Sequence, residues 1–154
     1  MTDANHAFDS DAALRLDNQL CFALYSTSLM MTKAYKPFLD TIGLTYPQYL
    51  VMLILWQQDG IGLKDISERL FIDSGALTPV LKRMEAMGLL TRVRPAHNER
   101  SLEISLTAEG RALKAAAATV NQQIGLQCGV AFADIAKLRD ELQHLRGQIQ
   151  QTLR

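Results

Sequence analysis

The chain of 154 residues has few of the features that mark whole classes of protein. Its two cysteines, at positions 21 and 128, form neither a disulfide scaffold nor a CxxC redox or zinc motif. The longest apolar run, Tyr49 to Trp56, covers eight residues, whereas a helix that crosses a bilayer needs about 20. Because the three histidines stand apart without ligand spacing, the sequence predicts no metal site and no cofactor.

Excess charge of one sign and a targeting segment are also missing. Sixteen Lys and Arg balance sixteen Asp and Glu, so attraction to nucleic acid would require local clustering. The N-terminal sequence MTDANHAFDSDA is polar and lacks the basic start and apolar core of a secretory signal, which predicts a cytoplasmic protein without a membrane partner. Standing disulfides are rare in that compartment, so the cysteines are predicted to be buried or to react transiently. Residues 1–11 are predicted to be a disordered tail and residues 12–154 a single domain.

Residues 61–106 have the pattern of a winged helix-turn-helix. Apolar spacing predicts a helix from Leu63 to Leu70, the turn FIDSG, and a second helix that is N-capped by Ser74 and ends near Gly88. A later start at Thr78 also fits, because Pro is favoured at the first helical position. After Gly88 the apolar period changes from about 3.6 to 2, which predicts two antiparallel strands around the basic loop RPAHNER.

The segments on either side, residues 12–60 and 107–154, are predicted to be dimerisation helices. Their apolar residues recur at helical spacing and outnumber those that so small a domain can cover. A two-fold homodimer is the simplest way to bury this surface, and a larger core within one chain is the alternative. The helices are predicted at residues 14–37, from about 47, at 107–124 and at about 131–152. The predicted fold class is therefore mainly α with a small β-wing: a winged helix-turn-helix domain plus N- and C-terminal dimerisation helices.

Basic residues cluster in the winged helix although the whole chain is neutral. Between positions 74 and 100 there are five basic residues and two acidic ones. Small residues at the start of the second helix allow close approach to the major groove, and basic residues can contact phosphates, guanine edges or, from the wing, the minor groove. We therefore expect double-stranded operator DNA as a partner, the alternative being a solvated basic face. The predicted DNA contacts are Ser74, Gly75, Ala76, Thr78, Pro79, Lys82, Arg83, Arg92, Arg94 and Arg100.

Two segments carry a family resemblance. LKDISERLFIDSGALTPVLKRMEAMGLLTRVRP, followed by NERSLEISLTAEG, resembles the core of MarR-type transcriptional regulators. LCFALYSTSLMMTKAYKPFLDTIGLTYPQYLVMLILW resembles their organic hydroperoxide resistance branch. The resemblance implies a redox-sensing repressor and not an enzyme. One departure is Asn98, where the family usually has Asp two residues before the wing arginine, here Arg100, so that a charge-assisted bond at the wing tip is weakened or replaced by a neutral one.

The resemblance also assigns roles to the two cysteines. Taken alone, Cys21 on an apolar helix is more often packing than a nucleophile. In the two-cysteine members of the family, counterparts of Tyr35 and Tyr46 hydrogen-bond the sensing thiol, and a thiol in the region of Cys128 resolves its sulfenic acid across subunits. This implies that organic hydroperoxides oxidise Cys21, that a disulfide to Cys128 of the partner subunit follows, and that the released DNA allows expression of a peroxide-detoxification gene.

Helix geometry constrains how these residues can meet. Cys21 and Tyr35 are fourteen residues apart, and this spacing separates them by about 21 Å along one straight helix. We therefore expect Tyr35 to contact Cys21 of the partner subunit in an antiparallel helix pair. Apolar neighbours are expected to favour hydroperoxides with an organic tail over hydrogen peroxide. These neighbours are Phe22, Leu24, Leu29 and Met30.

Three other functions stay open on the residues alone. A MarR-type regulator could be switched by a small aromatic ligand while Cys21 stays inert. A thiol peroxidase would also need a reactive and a resolving cysteine, but it has no use for a winged helix. A protein–protein adaptor could use the winged helix without binding DNA, and it would show no salt-sensitive DNA affinity.

Overall fold

The structure, a computed structural model, describes residues 9–154 and is mainly helical with one small sheet. Within these residues no helix is both long and apolar enough to cross a membrane. The sheet is antiparallel with strand order β1-β3-β2, so the predicted fold class is confirmed. A short 3-10 turn, Leu16–Asn18, precedes α2. The elements are α1 Ser10–Ala13, α2 Leu20–Asp40, α3 Tyr46–Gln57, β1 Ile61–Gly62, α4 Leu63–Leu70, α5 Ser74–Ala86, β2 Leu90–Val93, β3 Glu103–Leu106, α6 Ala108–Ala112, α7 Lys114–Gln127 and α8 Phe132–Thr152.

The N-terminal region differs from the prediction in two places. Most of the predicted tail, residues 1–8, lies outside the described residues, but its last residues enter α1, which Asp9 caps by accepting bonds from two backbone amides. The long helix begins at Leu20 and not near Leu14. The side chains of Asn18 and Gln19 donate to carbonyls of residues 12–15, and this local bonding separates α1 from α2.

Two helices, α2 and α5, continue past a proline in their interior. Pro37 was expected to stop the first long helix, yet α2 continues to Asp40. Likewise α5 contains Pro79, and its N-cap position is Asp73, so that Ser74 is the first helical residue and not the cap. A proline removes one backbone bond, and side-chain bonds close by, such as that from the Thr78 hydroxyl to the Ser74 carbonyl at 2.8 Å, support the turn around it.

Most of the core lies under the winged helix, while α2 contributes Leu39 and α7 contributes Ala117 and Val120. It is built where α3, α4, α5 and the sheet meet, and its side chains include Met52, Ile66, Leu81 and Ile104, each fully buried. By contrast, α2 buries only Leu39, and α8 buries no residue at all. The core of one chain therefore leaves much of the apolar surface of α2 and α8 uncovered.

A carboxylate fastens the sheet to the helices around it. Asp59 accepts bonds from the backbone amides of Gly60 at 2.9 Å and Leu106 at 2.8 Å, and its second oxygen accepts a bond from Arg111 at 2.9 Å. Burial opposes ionisation, but the bonds from Leu106, Arg111 and Gly60 outweigh it and lower the pKa of Asp59 below its ordinary value. Asp59 thus stabilises the fold in its ionised form.

Replacing Asp59 with Asn is expected to lower the free energy of unfolding by about 1 to 2 kcal/mol at neutral pH. Because the folded-state pKa is lowered, the contribution is present above the unfolded pKa, about 3.9, and is lost as the pH falls through the folded value. Urea unfolding of both proteins at pH 7, 5 and 3 measures this. The control Asp40→Asn, which breaks an exposed pair with Lys36, should cost only a few tenths of a kcal/mol. A gap that stays constant down to pH 3 would contradict the assignment.

Candidate DNA interface and thiol site

The helix α5 presents the side chains that the sequence analysis assigned to DNA. Leu77, Leu81 and Met84 are buried and fix the orientation of the helix. Thr78 is half-buried, and the other predicted contacts on the helix are exposed. No atom lies within 4 Å of the position that a Cβ on Gly75 would occupy, so the leading end of the helix is open to a partner. The exposed contacts are Ser74, Gly75, Ala76, Pro79, Lys82 and Arg83.

The wing is present as a β2–β3 hairpin whose loop carries two exposed arginines, Arg94 and Arg100. The Arg94 guanidinium donates to the Glu99 carbonyl at 3.1 Å, which braces the loop from within. The Asn98 side-chain oxygen accepts the backbone amide of Arg100 at 3.3 Å. This bond is neutral, as the departure from the family pattern implied, and it shapes the backbone of the loop while leaving the Arg100 side chain exposed.

Arg92 differs from the other predicted DNA contacts. Its guanidinium pairs with Glu85 at 3.1 Å, its backbone amide donates to the same carboxylate at 2.8 Å, and its side chain is only 20% exposed. The backbone bond first, and then the guanidinium, lower the pKa of Glu85 despite some desolvation. Arg92 therefore fastens the wing to the end of α5, a role that the charge pattern alone did not separate from contact with DNA.

Three tyrosines cluster where α2 packs against α3. The ring centroid of Tyr35 lies 5.1 Å from that of Tyr46 and 5.8 Å from that of Tyr49, and all three ring pairs are tilted. Burial, followed by Tyr49, Tyr46 and Cys128, raises the pKa of Tyr35 to about 12. Burial also raises the pKa of Tyr46 and Tyr49. The hydroxyls thus remain protonated hydrogen-bond donors at every physiological pH.

Tyr49 is a third member of the cluster that was not among the predicted site residues. It lies three residues after Tyr46 and therefore on the same side of α3. It is 2% exposed, and its ring packs against both predicted tyrosines. That spacing was the available signal, but Tyr49 was read only as one residue of a buried helix. Tyr49 connects the cluster to the hydrophobic core, against which Tyr35 and Tyr46 pack.

Cys128 and Tyr35 line the same cleft, which has a volume of about 320 Å³ and lies between α2, α7 and α8. The Cys128 sulfur is 3.9 Å from that of Met31 and is half-buried at the C-terminal end of α7. The helix predicted to end at residue 124 continues to Gln127, so Gly125 lies inside α7. The Phe132 ring packs where a side chain at position 125 would lie, so this glycine lets α8 approach α7.

Cys21 lies outside that cleft. It is exposed in the first turn of α2 and is not bonded to Cys128. Because α2 is one continuous helix, Cys21 stands about 21 Å along its axis from Tyr35 of its own chain. Among residues 9–154 no cluster of three His, Cys, Asp or Glu side chains could hold a metal ion near either thiol. One chain therefore brings Tyr35, Tyr46 and Cys128 to neighbouring positions and leaves Cys21 apart.

The apolar neighbours of Cys21 do not enclose it within one chain. Each lies on the surface, with exposed fractions between 37% for Phe22 and 60% for Met30. The exposed apolar face continues from α2 to the other terminal helices. Its further members include Leu14, Leu20, Tyr25, Leu126, Phe132 and Leu138.

Comparison with known proteins identifies the family. A family model described as transcriptional regulator SarA/Rot matches residues 33–117. The organic hydroperoxide resistance transcriptional regulator of Bacillus subtilis is 54% identical over 101 residues, which are 66% of this chain and 69% of that protein. Its name agrees with the resemblance that the segment after Leu20 indicated.

Solved structures agree. Reduced AbfR bound to DNA, a Staphylococcus epidermidis protein, is 31% identical and superposes with a TM-score of 0.78 over 93% of this chain and 98% of that one. AbfR with its disulfide formed, also 31% identical, gives a TM-score of 0.60 over 93% and 95% of the two chains. These relatives confirm a regulator and not an enzyme. The chain belongs to the MarR-type winged-helix transcriptional regulators, in the branch of the organic hydroperoxide resistance regulators.

Proposed function

We propose that this regulator is a repressor that binds operator DNA and releases it when organic hydroperoxides act on the protein through Cys21 and Cys128. The Cys21 thiolate attacks the terminal oxygen of the hydroperoxide, the O–O bond breaks, and sulfur is oxidised to sulfenic acid while the peroxide leaves as an alcohol after taking up a proton. The Cys128 thiol of the partner subunit then attacks the sulfenic sulfur, which forms the disulfide and releases water. Release of DNA then derepresses a peroxide-detoxification gene.

One observation carries the proposal: Tyr35 and Cys128 line one cleft, next to Tyr46, while Cys21 of the same chain lies outside it. A sensing cysteine must reach both its hydrogen-bond donors and its resolving thiol. If two α2 helices pair antiparallel, Cys21 of the partner subunit comes near Tyr35, at one side of the cleft. The cleft then supplies protonated tyrosine hydroxyls that can hydrogen-bond a thiolate or orient a hydroperoxide.

The homodimer that this requires is consistent with the surface of the chain. The apolar faces of α2 and α8 are uncovered, and a two-fold dimer buries the same face of both subunits. In such a dimer Phe22, Leu24, Leu29 and Met30 would surround the thiol with apolar surface, which favours hydroperoxides with an organic tail. AbfR, solved both reduced on DNA and with a disulfide formed, is a relative of similar fold.

The two α5 helices would then enter successive major grooves, while the wing arginines Arg94 and Arg100 contact the minor groove or the backbone. The separation of two such helices must match the half-site spacing. A disulfide requires Cα atoms within about 7 Å. If the reduced dimer holds the two thiols farther apart than that, closing the disulfide pulls helices of the two subunits together and changes the separation of the α5 helices. Neither the aromatic-ligand regulator nor the thiol peroxidase is favoured by the relatives.

A mixed dimer tests the cross-subunit step. Two tagged chains, one carrying Cys21→Ser and the other Cys128→Ser, are co-expressed, and the heterodimer is purified through both tags. It retains one Cys21 and one Cys128 on different chains, so cumene hydroperoxide should produce one linked dimer on a non-reducing gel. Each homodimer variant is the control and should stay unlinked. A heterodimer that stays unlinked while wild type links would refute the cross-subunit disulfide.

Replacing Tyr35 with Phe should slow Cys21 oxidation by about tenfold, because a hydrogen bond to a charged group contributes roughly 1.5–3 kcal/mol. Since the pKa of Tyr35 is about 12, its hydroxyl does not ionise between pH 6 and 10, and the pH profile of the reaction should keep its shape in the variant. Stopped-flow oxidation by cumene hydroperoxide across that range measures both effects. Thr91→Val, which removes an exposed hydroxyl from the wing strand β2, is the control. An unchanged rate in Tyr35→Phe would remove this tyrosine from the site.

Replacing Lys82 with Ala should weaken binding of the reduced protein to all DNA sequences by about tenfold at low salt. If Lys82 contacts one phosphate, the slope of log affinity against log salt should fall by about one. Fluorescence anisotropy at several salt concentrations measures the slope. Lys64→Ala, at an exposed residue of α4 paired only with Glu68, serves as a control for loss of charge. An unchanged slope in Lys82→Ala would place this lysine away from the DNA backbone.

A further inference from the structure

A cation–π contact joins the C-terminal helix to the turn of the helix-turn-helix. The guanidinium carbon of Arg146, on α8, lies 4.3 Å from the centre of the Phe71 ring, a cation–π geometry. Phe71 follows α4 and opens the turn to α5. No carboxylate among residues 9–154 pairs with Arg146 within 4 Å, so the Phe71 ring is the partner that its charge finds there.

Phe71 holds an unusual backbone conformation. Its φ of +56° is in the left-handed region, and no other non-glycine residue of the described chain has a positive φ. That conformation is unfavourable for a bulky side chain, so the surroundings must hold it. The turn is indeed tied to α4 from both sides, because the Ser67 hydroxyl donates to the Ile72 carbonyl at 2.6 Å and the Ile72 amide donates to the Ser67 carbonyl at 3.2 Å.

The turn continues directly into the DNA-reading helix. Phe71 is two residues before Asp73, the N-cap of α5. A displacement of the Phe71 ring therefore acts on the first turn of α5, where Ser74, Gly75 and Ala76 are exposed. Ile72 alone separates Phe71 from Asp73, so no loop lies between Phe71 and α5.

The other end of α8 reaches the thiol cleft. Phe132, Ile135 and Arg139 on its first two turns line the cleft that holds Cys128. Gly129, with a φ of +65°, sits between Cys128 and the helix and allows the chain to change direction there. Arg146 is fourteen residues, about 21 Å along the axis, beyond Phe132. Since α8 buries none of its residues within its own chain, it can shift relative to its own winged helix together with the partner surface on which it packs in the dimer.

We infer that the Arg146–Phe71 contact is the link through which the state of the Cys128 cleft reaches α5, with Arg146 as a positioning residue for DNA binding. The inference rests on the proposed function for the signal at Cys128. In the reduced protein the contact holds the turn, and hence α5, in its DNA-binding orientation. Disulfide formation draws the start of α8 towards the partner subunit. Arg146, at the far end of the same helix, then leaves Phe71, and the turn before α5 loses this support.

Arg146→Met and Phe71→Leu, singly and together, test this link. Each removes the cation–π pair while keeping an apolar side chain of similar reach. An exposed cation–π contact is weak, so the reduced form of either single variant should bind operator DNA about two- to fivefold more weakly than wild type. The double variant should bind no more weakly than either single one, because both changes remove the same contact. Lys137→Met, on the same helix and without a partner among the described residues, is the matched control and should bind as wild type does.

Two further measurements separate this role from others. If Arg146 contacted phosphate, its loss would lower the salt slope by about one, whereas a positioning role leaves the slope unchanged. Disulfide formation, followed on non-reducing gels, should match wild type in all variants, and the ratio of reduced to oxidised affinity should shrink two- to fivefold. Wild-type affinity in both reduced single variants, additive losses in the double variant, or a lower salt slope would each overturn the link. Failure of the wild-type protein to form a disulfide would instead refute the proposed function, and the reduced-state affinities would still decide the link.

Discussion

Replacing Cys21 with serine is expected to abolish release of DNA by organic hydroperoxide. A serine hydroxyl stays protonated at neutral pH and does not attack a peroxide, so neither the sulfenic acid nor the disulfide can form. In wild type, oxidation should lower operator affinity by about a hundredfold, because a specific complex is typically at least a thousandfold tighter than a non-specific one and misplaced α5 helices lose much of that difference. Fluorescence anisotropy with labelled operator, before and after one equivalent of cumene hydroperoxide per thiol, measures both affinities.

The second cysteine supplies the control for that experiment. Cys128→Ser keeps the sensing thiol, so Cys21 should still be oxidised, but no linked dimer should appear, and excess peroxide should carry the sulfur on to sulfinic acid, detected as a mass gain. An equal amount of hydrogen peroxide should oxidise wild type more slowly than cumene hydroperoxide does. If Cys21→Ser released DNA as wild type does, Cys21 would not be the sensor.

The architecture of this chain was largely predictable because each element has its own period. The change from a helical period to alternation after Gly88 predicted the wing, and β2 and β3 are found there with Leu90 opposite Leu106. The helix ends were less predictable. Leu20 begins α2 because the side-chain amides of Asn18 and Gln19 donate to carbonyls of the preceding turn. The sequence does not indicate which carbonyl a polar side chain will bond.

The sequence indicated which residues to consider for the candidate site, except Tyr49, but it did not indicate how they are grouped. Helix arithmetic alone separated Cys21 from Tyr35, and the continuous α2 agrees with it. That Cys128 shares a cleft with Tyr35 depends on how α7 packs on α2, which no local pattern encodes. Arg92 shows the same limit, because its charge fitted a DNA contact while its position beside Glu85 makes it a brace for the wing.

Gly110 is the position where one added methyl group should do the greatest damage to the fold. A Cβ there would lie 2.1 Å from the Leu89 carbonyl oxygen and 3.2 Å from the Leu106 side chain. The surroundings cannot yield easily. The Leu89 carbonyl accepts the Thr107 amide at 3.1 Å, the Gly110 amide donates to the Thr107 hydroxyl at 3.0 Å, and the Gly110 carbonyl accepts the Trp56 indole at 2.9 Å.

Gly110→Ala is therefore expected to lower the free energy of unfolding by about 3 kcal/mol, at the upper end of the usual cost of overpacking. The methyl group must push apart the end of β3, the start of α6 and Leu89, the residue before β2. The wing should therefore be displaced, and operator affinity should fall together with stability. Urea unfolding and operator binding at 10 °C measure the two effects. Gly75→Ala, the same substitution in a helix with open space around it, should leave stability unchanged or raise it slightly, since Ala has the higher helix propensity. If Gly110→Ala were as stable as Gly75→Ala, α6 would not lie as close to the Leu89 carbonyl as the structure shows.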